Sequence, residues 1–389
     1  MVARKVRSLP PKDTHSLTNS SSTYASLSPD KLVAFYNLDG AQRAIMIDVE
    51  TGDFTDPNLP INEVSFNALK CTSLKSFAVI GSSADAPKTL YHINLDNPND
   101  MKVLKTSMEI SFPKTFFSAA QNIKYPRSQS QEGGHAYGLF FPPTNPDFVG
   151  PQGTLPPLIV AIHGGPTWQT GAGLYLRDQY WTTRGYALVQ INYVGSSGYG
   201  KQYASLLRGQ WGVADIADAA SAVDYLAEQG LIDRKRVGIT GLSAGGYATM
   251  QALAVYPDIF AAGVAESGIS DMQAMFDETH KFESQYLQPL CFPANTNTSD
   301  EERSRIIRER SPIHQAQRIK SPLLILGGKE DKIVPPTQAT RLARAIEKNG
   351  GTVEVVVYEG EGHIFTRGEN VRDSVVRMEG WWGRFLLGE

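Results

Sequence analysis

Ser243 stands in Gly241-Leu-Ser-Ala-Gly-Gly, a G-x-S-x-G sequence. Such a serine occupies a sharp strand-to-helix turn whose neighbours must be small, and glycines at 241, 245 and 246 meet that demand. The turn holds the hydroxyl at a helix N-terminus, where amides and the dipole favour a developing anion. A serine alcohol is a weak nucleophile until a base takes its proton. Imidazole is the usual base near neutral pH, and His280, His314 and His363 follow Ser243. His363 lies just past a strand-like run, in Glu359-Gly-Glu-Gly-His-Ile-Phe, whereas His314 follows a charged helix and His280 lies in an amphipathic segment. An acid must fix the tautomer of that imidazole, and the order serine, acid, histidine places it after the run at 323–326. Glu330 and Asp331 both stand there, and spacing hardly separates them.

Acyl transfer through a serine also needs donors for the tetrahedral oxyanion. His163-Gly-Gly-Pro, straight after the run at 158–162, is the expected place for one, through the amide of Gly165. The amide of Ala244 supplies the other, and His163 itself reads as structural. Asn192-Tyr-Val-Gly-Ser-Ser-Gly-Tyr-Gly follows the next strand, so Tyr199 is a candidate hydroxyl donor and equally a packed loop aromatic. Trp168, Phe276, Phe282 and Tyr286 line a pocket or pack in the core. The seven histidines show no metal spacing, and no Walker A or dinucleotide fingerprint occurs, so neither metal nor cofactor is expected.

These residues need a scaffold that brings strand ends together. After about residue 120, apolar runs begin at 158, 187, 236, 262, 323 and 353, and alternate with helix candidates at 213–228, 244–255, 336–348 and 371–386. That alternation predicts an α/β-hydrolase fold, a mostly parallel sheet with helices on both faces and the chemistry beyond the carboxyl ends of its strands. Before it, residues 24–115 carry short alternating runs punctuated by turns such as Asp39-Gly and Thr51-Gly-Asp, which predict a small all-β appendage. Residues 1–23 read as a flexible tail and 116–389 as the catalytic domain.

The chain has 389 residues, 41% hydrophobic and 20% charged, with a net charge of −3 and acids and bases interspersed. That balance supports a sizeable core and gives no bulk attraction for nucleic acid or an anionic membrane. Cys71 and Cys291 are too few for a disulfide framework or a cysteine metal site. The N-terminus lacks the apolar stretch of a signal peptide, and no run reaches the ~18 residues of a membrane span. A cytoplasmic protein is the expectation, so the Asn19 and Asn297 glycosylation patterns read as chance.

Together these motifs resemble the prolyl oligopeptidase family, nearest its acylaminoacyl-peptidase and dipeptidyl-peptidase-like members. The likeness covers roughly residues 120–389. It rests on His163-Gly-Gly-Pro, the Asn192 loop, Trp211-Gly-Val-Ala-Asp-Ile-Ala-Asp, Gly241-Leu-Ser-Ala-Gly-Gly-Tyr, Thr279-His-Lys-Phe-Glu-Ser, Glu330-Asp-Lys-Ile-Val-Pro-Pro and Gly360-Glu-Gly-His. It implies Ser243 as nucleophile, Asp331 as acid, His363 as base and Tyr199 as the oxyanion tyrosine of those members that use one. Trp211, Asp215 and Asp218 correspond to fold markers.

Val194 stands where family peptidases usually carry Arg, and Leu242 where a small or acidic residue is common. Family members place a β-propeller before this domain. Blades run ~40–45 residues and at least four close a ring, so residues 24–108 supply about two. Two blades alone are expected to lack a core and to lean on the hydrolase rim or on a second copy, which admits a homodimer. The implied activity is a peptidase or amidase acting on a small-molecule or short-peptide substrate. The alternative is an esterase, or an enzyme of this fold converting a non-peptide metabolite.

Overall fold

The computed structural model of the chain describes residues 24–38, 40–98, 100–130, 133–278, 286–292 and 298–389. The tail, His280, Phe282 and Asn297 lie outside the described residues.

The alternating N-terminal runs form two antiparallel four-stranded meanders. The first contains β1 (Tyr24–Ser28), β2 (Lys31–Leu38), β3 (Ala41–Asp48) and β4 (Phe54–Thr55); the second contains β5 (Glu63–Ser73), β6 (Ser76–Ser83), β7 (Ala86–Asn94) and β8 (Lys102–Thr106). Their inward residues, Val33 and Phe35 from one and Phe77, Val79 and Ile93 from the other, join in one buried cluster. The expectation that this segment lacks a core is therefore corrected. Alternate residues of β2, β6 and β7 all point into the space between the two sheets, which is enough to close a small one.

The remainder builds an eight-stranded sheet in the order β16-β15-β14-β13-β11-β12-β10-β9. β9 (Gln121–Pro126) and β10 (His135–Phe141) are antiparallel at one edge. β11 (Leu158–Ile162), β12 (Ala187–Asn192), β13 (Val237–Leu242), β14 (Ala262–Glu266), β15 (Leu323–Gly328) and β16 (Val353–Tyr358) are mutually parallel. The principal helices are α1 (Leu176–Thr182), α2 (Ala214–Glu228), α3 (Ala244–Val255), α4 (Pro336–Lys348) and α5 (Gly368–Trp382).

The strands are apolar on both faces because each face is covered. One core layer takes Tyr247 and Leu253 of α3 and Leu342 of α4, and the other takes Trp181 of α1 and Trp382 of α5. Glycines set the spacing of these layers. A Cβ on Gly238 would stand 2.7 Å from the Trp382 ring, and one on Gly263 would stand 2.7 Å from Leu253.

The appendage rests on the loops after β11 and β12. Gln169 Nε2 donates to Asn37 at 3.1 Å and Tyr175 donates its hydroxyl to Glu63 at 2.5 Å. Gly40 abuts the Tyr199 hydroxyl, where a Cβ would come within 2.8 Å. Those loops leave the carboxyl ends of their strands, so the appendage and the Ser243 turn share one rim.

Candidate active site

Ser243 joins β13 to α3 with φ 60° and ψ −118°, a conformation that L residues seldom adopt. Its N–H donates to the Glu266 carbonyl at 2.9 Å and its carbonyl accepts from Tyr247 N–H at 2.9 Å, so the turn is tied to β14 and to its own helix. The flanking glycines are sterically required. A Cβ on Gly241 would lie 2.5 Å from the Gly245 carbonyl carbon, and one on Gly246 would lie 2.7 Å from the Glu266 oxygen. One on Gly245 would collide with the Ile162 carbonyl.

His363 and Asp331 meet at the ends of β16 and β15. Nδ1 of His363 and Oδ2 of Asp331 are 2.7 Å apart, and the Asp331 side chain is 1% exposed. The other oxygen, Oδ1, accepts the amides of Ile333 and Val334, each at 2.9 Å. Burial by itself would raise this carboxyl. The His363 bond, with help from the Val334 and Ile333 amides, outweighs it and holds Asp331 below the ordinary aspartate value. Glu330 is exposed and turned to solvent, and His314 is exposed in a 3-10 turn. Gly328 lets the two loops touch, since a Cβ there would strike the Gly362 and Glu361 carbonyls.

The loop after β11 crosses directly above Ser243. A Cβ on Gly164 would sit 3.0 Å from the Leu242 carbonyl oxygen and 3.5 Å from Ser243 Cβ. Gly165 has φ +116° and its carbonyl accepts the Tyr286 hydroxyl at 2.6 Å. His163 stacks on Tyr193 with ring centres 4.4 Å apart. Its Nδ1 faces the Gly164 carbonyl at 2.8 Å, so Nδ1 carries the proton and Nε2 accepts from Ser196 Oγ at 2.8 Å. Burial pushes His163 down to about 4, which keeps it neutral near pH 7. It is a buried strut under the loop.

Tyr199 has a different setting from the one its motif implied. Its ring stacks on Tyr137 at 4.4 Å, and its hydroxyl accepts from Asn192 Nδ2 at 3.0 Å and lies against Gly40. The ring is therefore packed against its neighbours. Of the other aromatics, Phe276 packs near Phe292 at 5.7 Å, Tyr286 braces the Gly165 loop, and Trp168 is half-exposed. Asp218 forms a buried pair with Arg127 at 2.6 Å and accepts the Val194 amide at 2.8 Å, which ties α2 to the edge strands.

Two organising side chains escape a motif reading. Glu361 is buried and accepts from Thr366 N–H at 2.8 Å, Arg367 N–H at 2.9 Å and Asn370 Nδ2 at 2.9 Å, folding the loop that carries His363. Glu266 holds Arg177 of α1 at 2.6 Å from the strand end beside Ser243. Glu361 was in view as part of Gly360-Glu-Gly-His, but nothing in that string marks a buried carboxylate. No local signal pairs positions 177 and 266.

Among the described residues no group of acids, histidines and cysteines is arranged to hold a metal ion, and no helix is long and apolar enough to cross a membrane.

The profile of the Prolyl oligopeptidase family, Peptidase_S9, matches residues 173–388. Dipeptidyl aminopeptidase BIII of Pseudoxanthomonas mexicana is 32% identical over 232 residues, 60% of this chain and 34% of that protein. An acylamino-acid-releasing enzyme of Arabidopsis thaliana is 30% identical over 244 residues, 60% of this chain and 31% of that one. A solved puromycin-hydrolyzing peptidase of Mycobacterium tuberculosis superposes with a TM-score of 0.87 at 32% identity, covering 94% of this chain and 55% of that one. The chain thus spans about a third of these curated relatives and about half of that structure.

Proposed function

This chain belongs to the prolyl oligopeptidase family, and from that premise we propose that it is a peptidase-type serine hydrolase using Ser243, His363 and Asp331. The observation that carries the reading is the buried Asp331 carboxylate bonded to His363 Nδ1, on the rim where the Ser243 turn projects. Asp331 fixes the tautomer that leaves His363 Nε2 free to take the Ser243 proton. Ser243 Oγ then bonds to the substrate carbonyl carbon. The carbonyl oxygen becomes an oxyanion received by the amides of Gly165 and of Ala244, the first residue of α3. Collapse breaks the bond to the leaving amine, which departs with the proton from His363. Water, activated by the same imidazole, releases the acid from the acyl-enzyme.

The relatives' printed names support peptide and aminoacyl amides as substrates: a dipeptidyl aminopeptidase, an acylamino-acid-releasing enzyme and a puromycin-hydrolyzing peptidase. The test is labelling by a fluorophosphonate, together with turnover of a panel of peptide anilides and acyl esters. Wild type should be labelled and should favour anilides, while Ser243→Ala should be silent in both assays. Labelling of Ser243→Ala at the wild-type rate would overturn the nucleophile. A panel in which only esters turn over would overturn the peptidase assignment.

A further inference from the structure

Beside the Ser243 turn, on the α1 and α5 side of the sheet, lies a cavity of about 330 Å³. Neither Ser243 nor His363 lines it, yet Leu242 and Ile364, their chain neighbours, do. Phe365, Val371 and Val375 complete an apolar wall, and at the mouth Ile364 is 62% and Val371 41% exposed. Apolar surface kept open to water beside a half-open cavity is a common mark of a ligand site.

The polar groups in the wall are spent except at two places, Glu266 Oε2 and one edge of the Arg177 guanidinium. Ser374 Oγ donates to the Val371 carbonyl at 2.8 Å and the Tyr180 hydroxyl donates to Glu379 at 2.7 Å. Glu266 Oε1 accepts Arg177 Nη2 at 2.6 Å, and the same nitrogen contacts Met378 Sδ at 2.9 Å. That leaves the Nε and Nη1 edge of the Arg177 guanidinium without a hydrogen-bond partner among the described residues and open to solvent, the side chain being 44% exposed. Of the two, the guanidinium presents the forked pair of donors, and such an edge at the side of an apolar cavity favours planar oxyanions.

We propose that this cavity is a second ligand pocket, which takes an apolar group ending in a carboxylate and docks that carboxylate on Arg177. The pocket is coupled to the turn through Glu266, whose side chain holds Arg177 and whose backbone oxygen holds the Ser243 amide. The ligand has two sources of the same chemistry, the carboxylate-bearing half of a substrate or a separate effector acid. The proposal goes beyond the hydrolase reading and does not need it, because binding is measured without turnover.

The probe is 4-phenylbutyrate, titrated calorimetrically into the full chain carrying Ser243→Ala, with 4-phenylbutylamine as the cationic control. One phenylbutyrate should bind per chain, at least about tenfold tighter than the amine. Val375→Trp, which fills the cavity, should weaken the acid about tenfold or more. The paired substitution Arg177→Met with Glu266→Gln removes both charges together, so no buried ion is stranded, and it should erase the preference for acid over amine. Melting curves of each variant report whether it folds. In the wild-type protein, competitive inhibition of a peptide anilide identifies the pocket as a substrate subsite. Equal inhibition of the anilide and of p-nitrophenyl acetate, without competition, identifies an effector site. Absence of saturation by roughly 10 mM phenylbutyrate would overturn the proposal. So would binding unchanged in both folded variants.

Discussion

Asp331 divides its two oxygens between tasks: one holds His363, and the other holds the amides that shape its own turn. Asp331→Asn should therefore lower kcat by up to ~10⁴ through the wrong imidazole tautomer, whereas the exposed Glu330→Gln should change it little; steady-state kinetics on one substrate separates them. The residue choice was hidden in the sequence because two adjacent carboxylates share a spacing. What distinguishes them in the fold is which one the turn points inward, and Oδ1 capping Ile333 and Val334 turns Asp331 toward His363. The places of Ser243 and His363 on the rim were legible because each follows a strand run directly. The setting of Tyr199 was not legible, because a glycine-rich loop does not reveal where its ring folds back, here onto Tyr137. Ser243 itself holds a backbone conformation that costs about 1–3 kcal/mol for a residue with a Cβ. Ser243→Gly should accordingly melt above Ser243→Ala, and calorimetry of the two variants checks it.

The elements that hold the turn are packed backbone on backbone. Gly245→Ala drives a methyl into the Ile162 carbonyl and should cost about 1–3 kcal/mol, read as a lower urea midpoint. At the start of α2, burial pushes the Asp215 carboxyl up to about 7, with the Gly212, Asp215 and Ile216 amides opposing it. The folded protein then holds this proton where the unfolded chain, near 3.8, has lost it. Its contribution therefore favours the fold less as pH rises from about 4 to about 7. Asp215→Asn should flatten that slope in urea midpoints compared at about pH 5 and about pH 7.5. The parallel strands were readable as mostly apolar runs, since strands covered on both faces lose the polar alternation; only β16, at the sheet edge, carries an exposed charge, Glu354, within its run. β9 and β10 were not readable: Gln121, Asn122 and Lys124 break any run in β9, and their place is fixed by pairing, β10 with β12 and β9 with β10 at the sheet edge. α1 was missed as well, because seven residues are too few to show a helical period.

Across the whole molecule, the two small sheets sit on the loops that frame Ser243. Deleting residues 1–110 should uncover Tyr199, Gln169 and Tyr175 together and yield aggregated or poorly soluble protein, measurable by light scattering after purification. A soluble, monomeric and fully active truncation would show the appendage dispensable. Their private core around Val33, Phe77 and Ile93 also bears on how the chain is made. At roughly 5–20 residues per second, the two sheets leave the ribosome seconds before the loops at 163–200 exist. They can collapse on their own while the parallel sheet still waits for β15 and β16 from the far end of the chain. The rim is therefore moulded late against a surface already set, and nascent chains halted near residue 150 should already protect the amides of β6 and β7 from exchange.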